Sequence, residues 1–185
     1  MDDIANTLHI SKRTLYETFA NKEELLTECL MQVHNDIEER HKRIYQKVDE
    51  PLLVALYMIR VNAMSNHCNH HIIEESERYY PQIRDRYFKI HTASIREKLT
   101  EALRYAESQN YLRPNVDIAT TIDFICEFLQ RHRLSEMDNR EAYLHMVSEI
   151  GFTFLRGLMS TETLRRYDER EDEFQNMINH MNDNI

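Results

Sequence analysis

Residues 1–30 read MDDIANTLHISKRTLYETFANKEELLTECL, and the order of apolar, capping and basic positions in this stretch decides how the rest of the chain is read. Ile4, Ala5 and Leu8 lie at helical spacing, the pattern breaks around His9 and Ile10, and Ser11 stands as an N-cap ahead of Leu15 and Phe19. That predicts two short helices around a tight corner. Asn21-Lys22-Glu23-Glu24 then opens a third helix like a capping box: the Asn21 side chain can accept from the Glu24 amide, and two carboxylates suit the positive helix end. Leu26, Leu30, Val33, Ile37 and Ile44 continue a helical stripe to about position 47, where Asp49 and Pro51 reset the chain. This is the order of a helix-turn-helix running into a long connecting helix. Ile4, Leu8, Leu15 and Phe19 are expected to fill its small core. Lys12, Arg13, Thr14, Tyr16 and Thr18 remain for the outward side, a set that can approach a major groove with donors for phosphates and base edges. Residues 11–22 hold Lys12, Arg13 and Lys22 against Glu17, a net charge of +2.

That local excess matters because the chain as a whole carries 23 Lys+Arg against 32 Asp+Glu, a net charge of −9 that repels a polyanion unless bases are gathered in one place. Its 185 residues predict one compact body. With 42% hydrophobic and 30% charged residues but only 2 Gly and 3 Pro, collagen-like, linker-rich and turn-dense β architectures are excluded, and an all-α fold is the economical expectation. Gly151 and Gly157 sit in one late segment, so neither a dinucleotide fingerprint nor a Walker phosphate loop can be written. Cys29, Cys68 and Cys126 are far apart, form no CxxC and are read as buried thiols in a reducing cytosol. The longest apolar stretch, Leu52 to Ile59, is too short to span a bilayer, and Asp2 and Asp3 stand where a signal peptide would be basic. A cytoplasmic protein without membrane contact is expected.

Beyond position 50 the spacing predicts a helix over roughly 51–65 (Leu52, Leu56, Ile59, Ala63), then a loop or short helix in the polar run Ser65 to His71. From Pro81 a long helix carries Ile83, Tyr87, Ile90, Ser94, Leu99, Ala102 and Ala106 and is expected to stop near Arg113-Pro114. Asn115 is expected to cap a helix of about 116–132 bearing Ile118, Ile122, Ile125 and Leu129. Asn139 is expected to open another, about 140–159, with Tyr143, Met146, Val147, Ile150, Phe154 and Leu158. Both carry further hydrophobes off the main stripe (Phe124, Phe128, Phe152, Leu155), more than one small bundle buries, which points to a subunit interface. Gly157 suits either a close helix approach or a helix end. The tail 161–185 has a net charge of −4, yet Phe174, Met177, Ile178, Met181 and Ile185 form an amphipathic stripe, so a docked final helix is expected.

Asp3-Ile4-Ala5, Leu8 through Ser11, Thr14-Leu15-Tyr16 to Phe19, and Lys22 to Leu25 match the DxIA, xLxVS, TLYxxF and xKEEL pattern of a known family, and over these first thirty or so residues the chain resembles the TetR/AcrR family of bacterial transcriptional regulators. The resemblance implies that Ser11 caps the recognition helix, that Lys12, Arg13, Thr14 and Tyr16 face DNA, and that Lys22 meets a phosphate; Thr18 shares the outward side, where a DNA contact and a plain surface position are equally open. It departs at His9, where the family commonly has Gly for the positive φ of the turn. The family also has a further helix and a basic arm ahead of the position of Met1, so the helix-turn-helix is expected to be truncated and Ile4, Leu8 and Leu15 to lack a packing partner. The implied division is a partial helix-turn-helix over 1–20, a helical effector-binding and dimerisation domain over 21–160, and the C-terminal helix over 161–185. A homodimer would place two recognition helices about 34 to 36 Å apart on a palindromic operator, with repression as the default. Ile122, Ile125, Tyr143, Val147, Ile150 and Phe154 are the expected dimer surface, forming a four-helix bundle with the symmetry mate. A small-molecule effector would sit among the middle helices against Tyr57, Arg60, Val61, Met64, Phe88, His91, Ile95 and Phe128.

The residues also offer two rival classes. His34, Glu38 and His41 share a helical face at i, i+4, i+7, and Glu38-x-x-His41 is half of a di-iron bundle signature whose second half is missing, so a hydrated helix flank is the expectation. His67, Cys68, His70 and His71 supply ligand types without a distant partner. No metal or other cofactor is therefore assigned, and a metal-binding or purely dimerising bundle without DNA-binding activity stands as the alternative. No GxSxG, HExxH or paired Cys/His signature occurs, so no enzyme activity is expected.

Overall fold

The computed structural model describes residues 1–45, 67–131 and 140–170, together with Asp172 and Asn176. Among them lie the helices α1 (Asp2–Thr7), α2 (Lys12–Thr18), α3 (Lys22–Tyr45), α4 (His67–Tyr79), α5 (Pro81–Ser108), α6 (Ile118–Arg131), α7 (Arg140–Arg156) and α8 (Thr161–Asp168). The fold of the described residues is all-helical, with one isolated bridge joining Leu112 to Met159. None of these helices is long and apolar enough to cross a membrane. The helix expected over 51–65, the Asn139 start and the stripe Phe174 to Ile185 lie outside the described residues.

Local chemistry accounts for the helix ends. α1 closes with His9 at φ 54°, the Ile10 N–H donating to Ala5 O at 3.0 Å and the His9 N–H to Asn6 O at 3.2 Å. This paired reverse bonding satisfies two carbonyls that the helix end would otherwise orphan. α2 starts on Ser11, whose Oγ accepts from the Thr14 N–H at 3.0 Å. At α3 the Asn21 side chain accepts from the Glu24 N–H at 2.9 Å, and the Glu24 carboxylate accepts in turn from the Ala20 N–H at 2.6 Å, a reciprocal cap.

Three helix boundaries differ from expectation. α5 ends at Ser108, before Arg113-Pro114, because Asn110 takes φ 58° and the Tyr111 and Asn110 N–H groups turn back to Ala106 O and Glu107 O at 2.8 and 3.0 Å. α6 is capped by Asp117, not Asn115: the Asp117 carboxylate accepts from the Thr120 N–H at 3.0 Å and its hydroxyl at 2.8 Å, while Asn115 sits in the turn at φ 65°. The Thr120 backbone N–H is the main reason the Asp117 carboxyl lies below its usual range. The polar run ending at His71 begins a full helix, α4. Gly157 is a helix end: it follows α7, its N–H bonded to Thr153 O at 2.9 Å.

Two apolar cores stabilise the body. The first joins α3, α4 and the start of α5 through Leu30, Val33, Ile73, Ile83 and Tyr87, with Leu26, Ile37 and Phe88 at its margin. The second joins the later turns of α5 to α6, α7 and α8 through Leu99, Leu103, Ala106, Ile122, Cys126, Phe152, Leu155 and Tyr167. α8 is capped by Ser160 and held by Tyr167 and the Arg156–Asp168 ion pair at 2.6 Å. Ile90, expected on the buried face of α5, is 36% exposed; Arg84, Thr92 and Leu103 take the buried positions. Arg84 is tolerated inside because it pairs with the buried Glu77 at 3.3 Å and lies over the Phe88 ring at 3.9 Å. Of the expected buried thiols, Cys126 is buried, Cys29 half-buried, and both are free; burial raises both thiols above their usual range.

Candidate functional site

α1 and α2 form a small two-helix head in front of α3. Leu15 and Ala5, each 3% exposed, are its centre, and Ile4 and Phe19 are half-buried. Leu8 does not join them: it is 58% exposed, and Ile10 is exposed beside it, so two short helices give Leu8 no wall to pack against. Ser11, Lys12, Arg13, Thr14, Tyr16 and Thr18 all lie on the exposed side of α2. The Ser11 and Thr14 hydroxyls bond each other at 2.8 Å, and the Thr18 hydroxyl donates back to Thr14 O at 3.2 Å.

The two bases of α2 are already matched with acids. Lys12 pairs with Asp2 at 2.7 Å, which raises the ammonium and lowers the carboxyl through their hydrogen bond, and Arg13 pairs with Glu17 at 2.8 Å. Exposed pairs of this kind are held only weakly, so an incoming phosphate can replace the acid at small cost. Lys22 is exposed, and its ammonium lies 5.8 Å from the Tyr80 ring centroid at the α4–α5 corner, which ties the start of α3 to the body.

Along α3, His34, Glu38 and His41 are not a hydrated flank. His34 and His41 are buried, and Glu38 is only partly exposed, because the facing stripe of α5, Tyr87, His91, Ser94 and Lys98, covers them. Lys98 Nζ bonds the Glu38 carboxylate, His41 Nδ1 at 2.8 Å and Ser94 Oγ at 3.0 Å, and the Ser94 hydroxyl donates to Glu38 at 2.8 Å. Burial works to raise the Glu38 carboxyl, but the bonds from Lys98 and Ser94 prevail and hold it below its ordinary range. Burial, helped by Lys98, pushes the His41 imidazole down to about 3; burial and His34 push His91 down to about 4. His91 stacks on Tyr87 at 5.7 Å and meets His34 edge-on at 5.8 Å between ring centroids. Among the described residues no three His, Cys, Asp or Glu side chains converge as a metal site needs.

Of the expected effector-contacting residues, His91, Phe88 and Ile95 lie on α5 and Phe128 on α6, all partly buried; Tyr57, Arg60, Val61 and Met64 lie outside the described residues. The side chains of His67, Cys68, His70 and His71 do so as well. The α3 stripe was missed as part of the interior because its covering partner is more than fifty positions away, at separations of 56 to 60 residues.

On the far side, α6 and α7 show an apolar face. Phe124 and Ile150 are more than half exposed and Met146 nearly so, while Ile125, Tyr143, Val147 and Phe154 are partly buried. Phe124 packs on Phe154 at 5.4 Å and Phe128 at 6.4 Å. Ile122 is a correction: at 3% exposure it belongs to the second core and is unavailable to another subunit, as are Phe152 and Leu155.

Residues 1–29 match the family model described as bacterial regulatory proteins, tetR family. Curated relatives are the HTH-type transcriptional repressor KstR2 from two strains of Mycobacterium tuberculosis, each 28% identical over 127 residues, covering 66% of this chain and 64% of the relative. The chain thus spans just under two thirds of the length of these relatives. A solved structure, that of the ketosteroid transcriptional regulator KstR2 of M. tuberculosis, superposes with a TM-score of 0.53 at 22% identity, covering 85% of this chain and 83% of the other, a likeness of fold. The first 29 residues thus carry the signature of the tetR family of bacterial regulatory proteins, and the helical architecture behind them is similar in fold to KstR2.

Proposed function

We propose that the chain is a cytoplasmic transcriptional regulator, a repressor in its resting form, that binds palindromic operator DNA as a homodimer and is released by a small molecule. The observation that carries this reading is α2 itself: a helix capped by Ser11 and anchored by the buried Leu15 that turns Lys12, Arg13, Thr14 and Tyr16 outward. Residues 1–20 act as the DNA-reading head, 21–160 as the effector-binding and dimerisation body, and 161–185 as an appended C-terminal segment that opens with α8. Phe124, Met146 and Ile150, with Ile125, Tyr143, Val147 and Phe154 beside them, form the dimer face, since an apolar patch of this kind on two adjacent helices suits a four-helix bundle across a twofold axis. α3 is the transmission element, because one continuous helix carries both the Lys22 end behind the head and the seam with α5. An effector acting there would alter operator affinity by a coupling free energy of about 1 to 3 kcal/mol. Because the mycobacterial relative is described as a ketosteroid transcriptional regulator, ketosteroids are the first effectors to try.

Selection from a random duplex pool tests the reading. A palindromic site with half-sites one helical turn apart is expected. Arg13→Ala and Tyr16→Ala should each weaken that site about tenfold or more, with helicity and subunit association unchanged. Selection that returns no preferred sequence would end the proposal.

A further inference from the structure

Buried polar atoms in folded proteins are nearly always paired, since each one left without a partner costs about 1 to 3 kcal/mol. On the α3–α5 seam three ring nitrogens, His34 Nδ1, His41 Nε2 and His91 Nδ1, are shut off from solvent without a hydrogen-bond partner. His34 and His41 are 9% and 5% exposed; His91 is more open as a residue, but its Nδ1 is sealed.

The tautomer of His41 follows from its neighbour. Lys98 has three protons, and Glu38, Ser94 Oγ and His41 Nδ1 take all three. An ammonium can only donate, so His41 Nδ1 is the acceptor and the imidazole proton sits on Nε2. His41 therefore presents a buried N–H donor that nothing among the described residues accepts.

The charge of the seam limits what can accept it. Glu38 and Lys98 balance each other, and Lys98 has no proton left for an anion. An incoming carboxylate or phosphate would lose its water and find the Lys98 ammonium already taken. A cation finds the carboxylate already occupied by Lys98. Around the polar stripe the walls are apolar, with Tyr87 stacked on His91 and Phe88 and Ile95 half-buried on the same helix.

We infer that the α3–α5 seam binds an uncharged organic molecule through a carbonyl or hydroxyl oxygen that accepts the His41 Nε2 proton, with His34 and His91 beside it as further polar contacts. This rests on the effector reading and names the chemical class of the effector. Its consequence is a hydrogen bond to α3 in the middle of the helix that connects the head to the body.

Three probes of one shape separate the possibilities: acetophenone, its hydrocarbon analogue isopropenylbenzene, and benzoate, each titrated into the full chain with imaging of the imidazole nitrogens by NMR. The free protein should show His41 protonated on Nε2. Acetophenone should move that resonance and bind about tenfold or more tightly than isopropenylbenzene, with benzoate weakest. The ketone preference should vanish in His41→Leu and return in His41→Gln, whose side-chain amide again offers a donor. A His41 proton on Nδ1, equal binding of ketone and hydrocarbon, tighter benzoate, or no binding of acetophenone because ordered water alone satisfies the ring would each overturn the proposal. Acetophenone bound as described but without effect on operator affinity would uphold the site and remove the effector reading.

Discussion

Replacing His9 by glycine probes the corner on which the orientation of α2 depends. His9 holds φ 54°, where an L side chain costs roughly 1 to 2 kcal/mol because its Cβ crowds the following carbonyl. Glycine removes that cost but brings about 0.5 to 1 kcal/mol of extra backbone freedom in the unfolded chain. The balance is a gain of about 0.5 kcal/mol for His9→Gly. His9→Val goes the other way, since a β-branched residue is a severe misfit in this region and should lose about 1.5 kcal/mol or more. Amide exchange at Ile10 reads the corner directly, because its N–H closes the turn on Ala5 O at 3.0 Å. Exchange about twofold slower in His9→Gly and about tenfold faster in His9→Val is expected. If the valine variant leaves Ile10 protection unchanged, the corner is not held by this residue.

Ser11→Ala removes the Oγ that accepts from the Thr14 N–H and should cost about 1 kcal/mol, seen as faster amide exchange at Thr14, while Ser11→Asp retains the cap. Acid should destabilise the body early. His41 and His91 are held neutral, at about 3 and about 4, against an ordinary value of 6.5, so below pH 6.5 the unfolded chain takes up protons that the fold refuses. Stability is full above that pH and falls by somewhat over 1 kcal/mol per pH unit for each histidine. Between pH 6.5 and 5 denaturant titrations should therefore show a loss of roughly 2 to 4 kcal/mol, a slope that flattens in the His41→Gln, His91→Gln double variant. Ile150→Asp places a charge on the apolar α6–α7 face twice per dimer; losing about 3 kcal/mol of burial should raise the dimer dissociation constant about a hundredfold in sedimentation, with helicity unchanged.

Local signals were the most readable from the amino-acid order. Ser11 as the cap of α2 and Asn21 with Glu24 at the head of α3 stand where their spacing placed them, because a cap involves only residues three or four apart. The end of α5 was placed late because Asn110 in the left-handed region stops the helix before Pro114 can, and asparagine is a weaker written signal than proline. α4 was hidden because its first residues, His67 to His71, offer no clear apolar period. On α6 and α7 the difficulty is different. These helices are apolar on more than one side, so periodicity identifies them as helices without saying whether Ile122 or Phe124 faces the core; the structure puts Ile122 inside and Phe124 out. The seam was the least visible. A polar stripe reads as a wet surface until a second stripe, here Tyr87 to Lys98, is brought against it from far along the chain.

Contact of α2 with nucleic acid is the central role proposed for this chain, and the salt dependence of duplex binding measures that contact most directly. Each phosphate neutralised adds about 0.9 to the slope of log affinity against log salt. Lys12→Ala and Arg13→Ala should weaken binding to the selected duplex, and whichever base sits on a phosphate should lower the slope by about one. Arg131→Ala, exposed at the far end of α6, should leave affinity and slope unchanged. Unaltered affinity and slope in both α2 variants, or a larger change on removing Arg131, would contradict that role.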